Sequence, residues 1–464
     1  VYAASLLSGG GTQPEDVLPA AAIGFVKVDL DPAAGQKLAA YRLSTAFPDS
    51  GVEAEADVAD ELVRRLFAEQ DEVDYDADLR PWLGKRLGLA VLPPRSGSDE
   101  PVVVAAVQVT DRDEAQQGLR HLAAADDGDE LHWAFARDDD YVLVSDDQAV
   151  VDDAAAATAH LAGRAEFERS VEELGGDQVA LGWVDLAGVW DAVPEQDRRE
   201  ASGSLGDVDP QGVVVVGAHL EDDGVEVTGR STGVSLGSSP ELRALLDNAL
   251  VRARPAGSIA DLPGDSLAAV SVTGLGDGLA QLYDVVADDL GQDVEGLQPV
   301  LEGFGLRLPD DLRAVLGTEL AAGVGGQLAD APRVSVRVQS SDGARAVELL
   351  QRATADVPGS EGWAISAGEG GYTVDTAPSA GGTAGRLGDS ALFRRTVPDA
   401  PGSSITWYVD VRESVAQDER TGESDLTERQ RRNLAPVRAV GYTATVDEGG
   451  SAAFRFRVVV GEVE

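Results

Sequence analysis

Cysteine and methionine are both absent from this 464-residue chain. Without cysteine there is no disulfide framework, no thiolate zinc site and no cysteine nucleophile. Lysine occurs only at Lys27, Lys37 and Lys85, and histidine only at His121, His132, His160 and His219. None of the histidines stands in an H-E-x-x-H or comparable ligand spacing, so the sequence signals no metal and no cofactor. Aromatic residues make up 5% of the chain, which gives weight to any that recur at matching places. No stretch beyond residue 17 reaches the roughly 20 apolar residues that a membrane helix needs.

What the chain has in excess is acid: 82 Asp and Glu against 37 Lys and Arg, for a net charge of -45. Such a surface repels phosphate backbones, which argues against nucleic acid as a partner. Hydrophobic residues at 43% and charged residues at 26% describe a soluble globular protein, and the length suggests two to four domains. Arginine-biased positive charge with abundant Ala, Gly, Val and Asp matches high-GC coding, and the same acidity would suit a salt-adapted surface.

The stretch Leu18 to Pro48 (LPAAAIGFVKVDLDPAAGQKLAAYRLSTAFP) reads as a Leu-Pro lead-in, a strand at Ala21 to Leu30, an Asp-Pro turn and a helix with Leu38, Tyr41 and Leu43 near one face. A weaker copy begins at Leu262, with Leu18/Leu262, Pro19/Pro263, Ile23/Leu267, Val26/Val270 and Val28/Val272 in register. Lys27, Asp29 and Asp31 have no matching charges at Ser271, Thr273 and Leu275, and read as surface detail. Further matches follow in order: Leu79 to Val91 with Leu312 to Val324, Val107/Val338, Trp133/Trp363, Tyr141/Tyr372, Leu161/Leu387, Phe167/Phe393, Val184-Asp185 with Val409-Asp410, and Val216/Val440. Collinear matches with a slowly drifting offset point to a tandem duplication. Asp78 and Asp311 each stand where a short helix opens and read as its caps. Short strands, tight Asp/Glu/Gly turns and interspersed helices predict an α+β fold: two homologous units, each a largely antiparallel sheet with helices packed on it. The expected division is a membrane-proximal stub and linker at 1–17, a first unit at 18–230, a linker with a helix at 231–261, and a second unit at 262–464.

The GGGTQPEDVLP linker, the Leu18 to Pro48 lead-in and the Ala/Val/Asp-rich body resemble an actinobacterial family of membrane-anchored proteins that carry a domain of unknown function (DUF 3352). The resemblance covers essentially the whole chain. It implies that the apolar VYAASLL at Val1 to Leu7 is the end of a transmembrane helix, and that the rest lies outside the cytoplasm. A chain that opens at Val1 without an initiator reads as mature or trimmed. The family brings no catalytic residues to carry over.

Familiar chemical motifs fail one by one. Gly229-Arg230-Ser231-Thr232-Gly233 and Gly233-Val234-Ser235-Leu236-Gly237 fit G-x-S-x-G, yet every histidine precedes them. Gly274-Leu275-Gly276-Asp277-Gly278 opens a helix, but matches no phosphate-loop spacing and has no lysine. Asp74-Tyr75-Asp76-Ala77-Asp78 alternates like a calcium loop, but Leu79 replaces the required glycine and Lys85 the bidentate glutamate. Paired carboxylates carry no signal among 82 acids. The residues that remain as ligand-binding candidates are Trp133, Trp183, Asp185, Trp363, Tyr408 and Asp410, although the aromatics read first as repeated core and the two aspartates as turn caps. The expectation is a non-enzymatic, membrane-tethered protein, single-pass and extracytoplasmic, that binds or scaffolds in the cell envelope. Its partners would be the membrane and an envelope protein, lipid or glycan. The alternatives are a carrier of an apolar ligand, lipid or glycan, in one unit, or a carboxylate-based hydrolase.

Overall fold

A computed structural model of the chain describes residues 11–47, 64, 75–125, 131–205, 209–235, 257–290, 303, 305–326, 332–377, 385–421, 424–446 and 451–461. The chain divides into two compact units, Val1–Gly237 and Ser238–Glu464. Both are α+β, and every strand pairing within them is antiparallel.

The first unit runs β1 (Gly24–Asp29), α1 (Ala34–Ala46), β2 (Leu83–Leu92), β3 (Val102–Val109), α2 (Arg112–Ala125), β4 (His132–Phe135), β5 (Tyr141–Ser145), α3 (Gln148–Ala156), α4 (Ala165–Leu174), β6 (Ala180–Asp185), α5 (Leu186–Ala192), α6 (Glu195–Leu205), β7 (Gln211–Glu221) and β8 (Gly224–Ser235). Its strands lie in the order β8-β7-β6-β1-β2-β3-β5-β4. The second unit runs β9 (Ser266–Thr273), α7 (Leu275–Leu290), α8 (Asp310–Leu316), β10 (Glu319–Gly325), β11 (Arg333–Gln339), α9 (Gly343–Thr354), β12 (Ala364–Gly368), β13 (Gly371–Asp375), α10 (Ala391–Thr396), β14 (Ile405–Asp410), α11 (Val411–Thr421), α12 (Glu428–Leu434), β15 (Val437–Val446) and β16 (Ala452–Val460). Its order, β16-β15-β14-β9-β10-β11-β13-β12, is the same position by position.

Strand side chains alternate between two faces of each sheet. In the first unit Phe25, Val104, Leu143, Trp183 and Val215 share one face and form the main core with Leu18, Leu161 and Phe167. Phe167 meets Phe25 and Trp183 edge-on, at 5.5 and 5.6 Å between ring centroids. In the second unit Phe393 meets Tyr408 in the same way at 5.2 Å, inside a core that holds Leu262, Ala269 and Leu387. The Leu-Pro lead-in is a clasp in both units. Leu161 N–H donates to the Leu18 carbonyl at 2.9 Å, and Leu387 N–H to the Leu262 carbonyl at 2.7 Å.

The ladders also correct several expected correspondences. Val107 pairs with Val142, whereas its counterpart Val338 pairs with Tyr372. Tyr372 therefore answers Val142 and not Tyr141, and a slip of one residue moves a side chain to the opposite face: Tyr141 lies in the main core, Tyr372 in a separate cluster with Val338 and Ala346. Trp133 lies opposite Val144 on β5, but Trp363 precedes β12 and pairs with no strand residue. Val215 and Gly441 face Trp183 and Tyr408, so Val216 answers Tyr442 and not Val440. On α1, Ala39 is buried while Leu38 and Tyr41 are exposed.

Lys27 and Asp29 are not surface detail. The segment Gln13–Val17 packs over Lys27, bringing Glu15 to 2.5 Å from Lys27 Nζ, and the buried Asp29 accepts from Arg86 Nε at 2.9 Å. Pro14 seats directly on Gly88, where any Cβ would collide with it. Tyr141 hydroxyl donates to the Thr12 carbonyl at 2.9 Å and completes the attachment.

Candidate functional site

The sequence-derived candidates do not converge. Trp183 is wholly buried in the main core, and Tyr408 occupies the same place in the second unit. Trp133 packs with Trp82, Leu119 and Val142 in a separate cluster. Trp363, half-buried, follows the turn Ser360–Gly362 and donates its N–H to the Ser360 carbonyl at 2.9 Å. Asp185 caps α5 by accepting from Gly188 N–H at 3.1 Å. It also pairs at 2.5 Å with Arg164, whose guanidinium lies 4.9 Å from the Trp183 ring centroid. Asp410 accepts from Glu413 N–H at 2.9 Å, and burial raises its carboxyl pKa above the usual carboxylate range. These are packing and capping roles.

The discarded motifs have equally local explanations. Ser231 pairs with Val214 in the middle of β8, so its G-x-S-x-G lacks the strand-turn-helix context of a nucleophile elbow. At the start of α7, the N–H groups of Gly274 and Gly276 donate to the Thr318 and Gly317 carbonyls at 2.8 and 3.2 Å, so neither faces outward to hold phosphate. Gly276 is a packing glycine, since a Cβ there would lie 2.6 Å from the Gly317 oxygen. Asp74 lies outside the described residues. Asp78 lies inside the helical turn Tyr75–Leu79 and accepts from His121 Nδ1 at 2.5 Å, and Asp311 binds Arg345 from the second position of α8. Among the described residues no group of His, Asp or Glu could hold a metal ion.

The unusual surface is the other face of the first unit's sheet. Three adjacent cross-strand rows run through Gly24, Val26 and Val28. Their partners are Val91, Leu89 and Leu87 on β2, and Val184, Gly182 and Ala180 on β6. Val103, Ala105 and Val107 extend the rows onto β3; Val214, Val216 and Ala218 extend them onto β7, and Ser231, Gly229 and Val227 onto β8. Apart from Ser231, every position in this field is Gly, Ala, Val or Leu. Among the described residues nothing covers its centre: Val26 is 53% exposed, Val103 47% and Leu89 42%, with Val28, Leu87 and Val184 exposed as well. Toward β5 the same face is closed by Tyr75, Leu79 and residues of α2.

The residue types that make this field were visible as strands apolar at successive positions, a pattern that signals burial on both faces. A polar pocket of about 470 Å³ also lies in the first unit, lined among others by Thr12, Asp16, Asp138, Asp140 and His160. Asp140 there accepts from the Thr12 hydroxyl at 3.1 Å.

The family model described as "Protein of unknown function (DUF3352)" matches residues 5–352. The chain belongs to the DUF3352 family. The comparison with curated proteins returns no match. The DUF3352 match spans the whole aliphatic face of the first unit and stops within α9 of the second. Among the described residues of this DUF3352 protein, no helix is long and apolar enough to cross a membrane.

Proposed function

We propose that the chain is a non-enzymatic binding protein whose first unit takes the hydrocarbon part of an amphiphile on its open aliphatic face, and that it works while tethered at a membrane on the extracytoplasmic side. The observation that carries the binding reading is the uncovered field around Val26, Leu89 and Val103. The exposed side chains there present on the order of 400 Å² of apolar surface, as much as the largest patches of ordinary monomers. Covering that area is worth roughly 10 kcal/mol before the costs of association.

The chemistry of the field favours hydrocarbon over sugar. Backbone groups of the central strands are spent in the ladders, and the exposed side chains carry neither rings to stack on a glycan nor donors to orient one. A second copy of the chain fits less well. A stable interface uses about 800 Å² on each partner, and two chains of net charge -45 repel each other. That charge also disfavours anionic headgroups, which leaves neutral or cationic amphiphiles.

The tether is supported by the apolar Val1 to Leu7 run and by the family resemblance. Fractionation of the full-length protein tests it: recovery in the soluble fraction would refute a membrane attachment. Native mass spectrometry after exposure to phosphatidylcholine vesicles tests the binding. The expected result is one bound phospholipid, lost in Leu89→Asp while circular dichroism stays unchanged. A bare wild-type protein would overturn the reading.

A further inference from the structure

One row of the sheet distinguishes the two units. In the first, Val26 pairs with Gly182, Gly182 with Val216, and Val216 with Gly229. In the second, the counterpart Val270 pairs with Trp407, Trp407 with Tyr442, and Tyr442 with Phe456. Trp407 and Tyr442 stack at 6.2 Å with 18° between their planes, and Phe456 lies 6.0 Å from Trp407. On the other side of the valine the sizes reverse: Leu89 stands opposite Val26, and Ala322 opposite Val270. A Cβ at Gly182 would meet nothing within 4 Å. Where the second unit carries a ridge of rings, the first carries a trough floored by glycine.

We infer that the trough over Gly182 is the seat of the ligand's apolar body, and that the second unit's copy of this seat is filled by its own Trp407. This rests on reading the first unit's face as the binding surface. The first unit's seat is thus open over glycine, and the second unit's is taken up by an indole beside Val270, which is 39% exposed against 53% for Val26. The second unit sets the size of the occupant, a neutral apolar group no wider than the indole that stands beside Val270: the acyl chain of an uncharged amphiphile. The chain's net charge of -45 selects against anionic versions, and the aliphatic walls at Val26, Val184 and Leu89 offer dispersion contact without hydrogen bonds.

The test uses N-phenyl-1-naphthylamine, a neutral probe that brightens in apolar surroundings, titrated into the full chain. The wild type is expected to bind one equivalent. Gly182→Ala and Gly182→Leu should weaken binding in steps, and Gly182→Trp at least tenfold, with the thermal midpoint unchanged. Trp407→Gly, with Trp407→Val as the gentler version, should add a second equivalent. If Gly182→Trp binds like the wild type while Leu89→Asp does not bind, the seat is overturned and the face reading survives. If the wild type takes up no probe, both fall. A folded Trp407→Val and Trp407→Gly pair that still bind one equivalent overturns the self-filled second seat.

Discussion

Asp311 and Arg345 form a two-pronged ion pair in the second unit, Nε to Oδ1 and Nη2 to Oδ2 both at 2.9 Å, with the carboxylate almost fully buried. Asp311 also accepts from Arg307 N–H at 2.6 Å, and Arg345 donates to the Gly305 carbonyl at 2.5 Å. The pair ties α9 to the first turn of α8. Removing one partner leaves a buried charge without compensation, so Arg345→Ala should cost about 3–5 kcal/mol. The Arg345 guanidinium holds the Asp311 carboxyl below its usual range. A lowered folded value gives stability that is present above the unfolded value of 3.8 and is lost as pH falls through the folded one. Thermal unfolding from pH 2 to 7 should therefore show a steeper acid limb in the wild type than in Asp311→Asn.

His219 behaves in the opposite sense. Its Nε2 lies 3.4 Å from Glu226 and 3.2 Å from Glu221, and the Glu226 hydrogen bond raises the imidazole above its ordinary 6.5. The contribution is complete below 6.5 and disappears as pH rises through the folded value. His219→Gln should flatten stability across that window by about 0.5–1 kcal/mol, the range of half-exposed pairs. Proton NMR titration of the four histidines would locate the shift directly.

Among the described residues Asp410 has no ion pair like that of Asp185 with Arg164, and burial raises its carboxyl pKa against the opposing pull of Arg438 and Arg412. For a raised acid, stability is present below the unfolded value and lost as pH rises through the folded one. Asp410→Asn keeps an acceptor for Glu413 N–H and removes the buried charge. It should be neutral to stabilising at pH 7, whereas Asp410→Ala should cost about 1 kcal/mol through loss of the cap. Urea midpoints of the two variants decide the order.

Gly88 leaves the space in which Pro14 sits. Gly88→Ala should displace the segment Gln13–Val17 and cost about 1–3 kcal/mol as an overpacked contact. Pro14→Gly in the same chain should recover part of that loss. Limited proteolysis is the second readout: cleavage near residue 14 should speed up in Gly88→Ala and remain slow in the wild type.

The sequence announced the strands, the clasp residues Leu18 and Leu262, and the core rings Phe167 and Phe393, because apolar periodicity and size survive without any knowledge of register. It misplaced Tyr141 against Tyr372 for the complementary reason. A letter match says nothing about which residue lies opposite on the next strand, and a single step reverses the face. Lys27 looked superficial because what covers it, Gln13 to Val17, resembles a linker in composition and packs through one proline and one glutamate, and Asp29 because its partner Arg86 lies 57 residues away. The trough was hardest to read. Gly182 and Trp407 share a position without sharing chemistry, so a search for recurring residues passes over them.

Strand β1 lies in the interior of the first unit's sheet, with Phe25 facing Trp183 on one side and Ala90 on the other. On a ribosome, or while threading through a translocation pore, β1 emerges first and can pair with β2 promptly. Its second edge must then stay unmatched until β6 appears, well over a hundred residues later. During that interval an apolar strand is open to wrong partners, and closure of so large a loop is slow. The second unit repeats the delay, with β9 waiting for β14. For a chain of this topology, yield on expression should respond more to translation speed and chaperone supply than to the stability of the finished sheet.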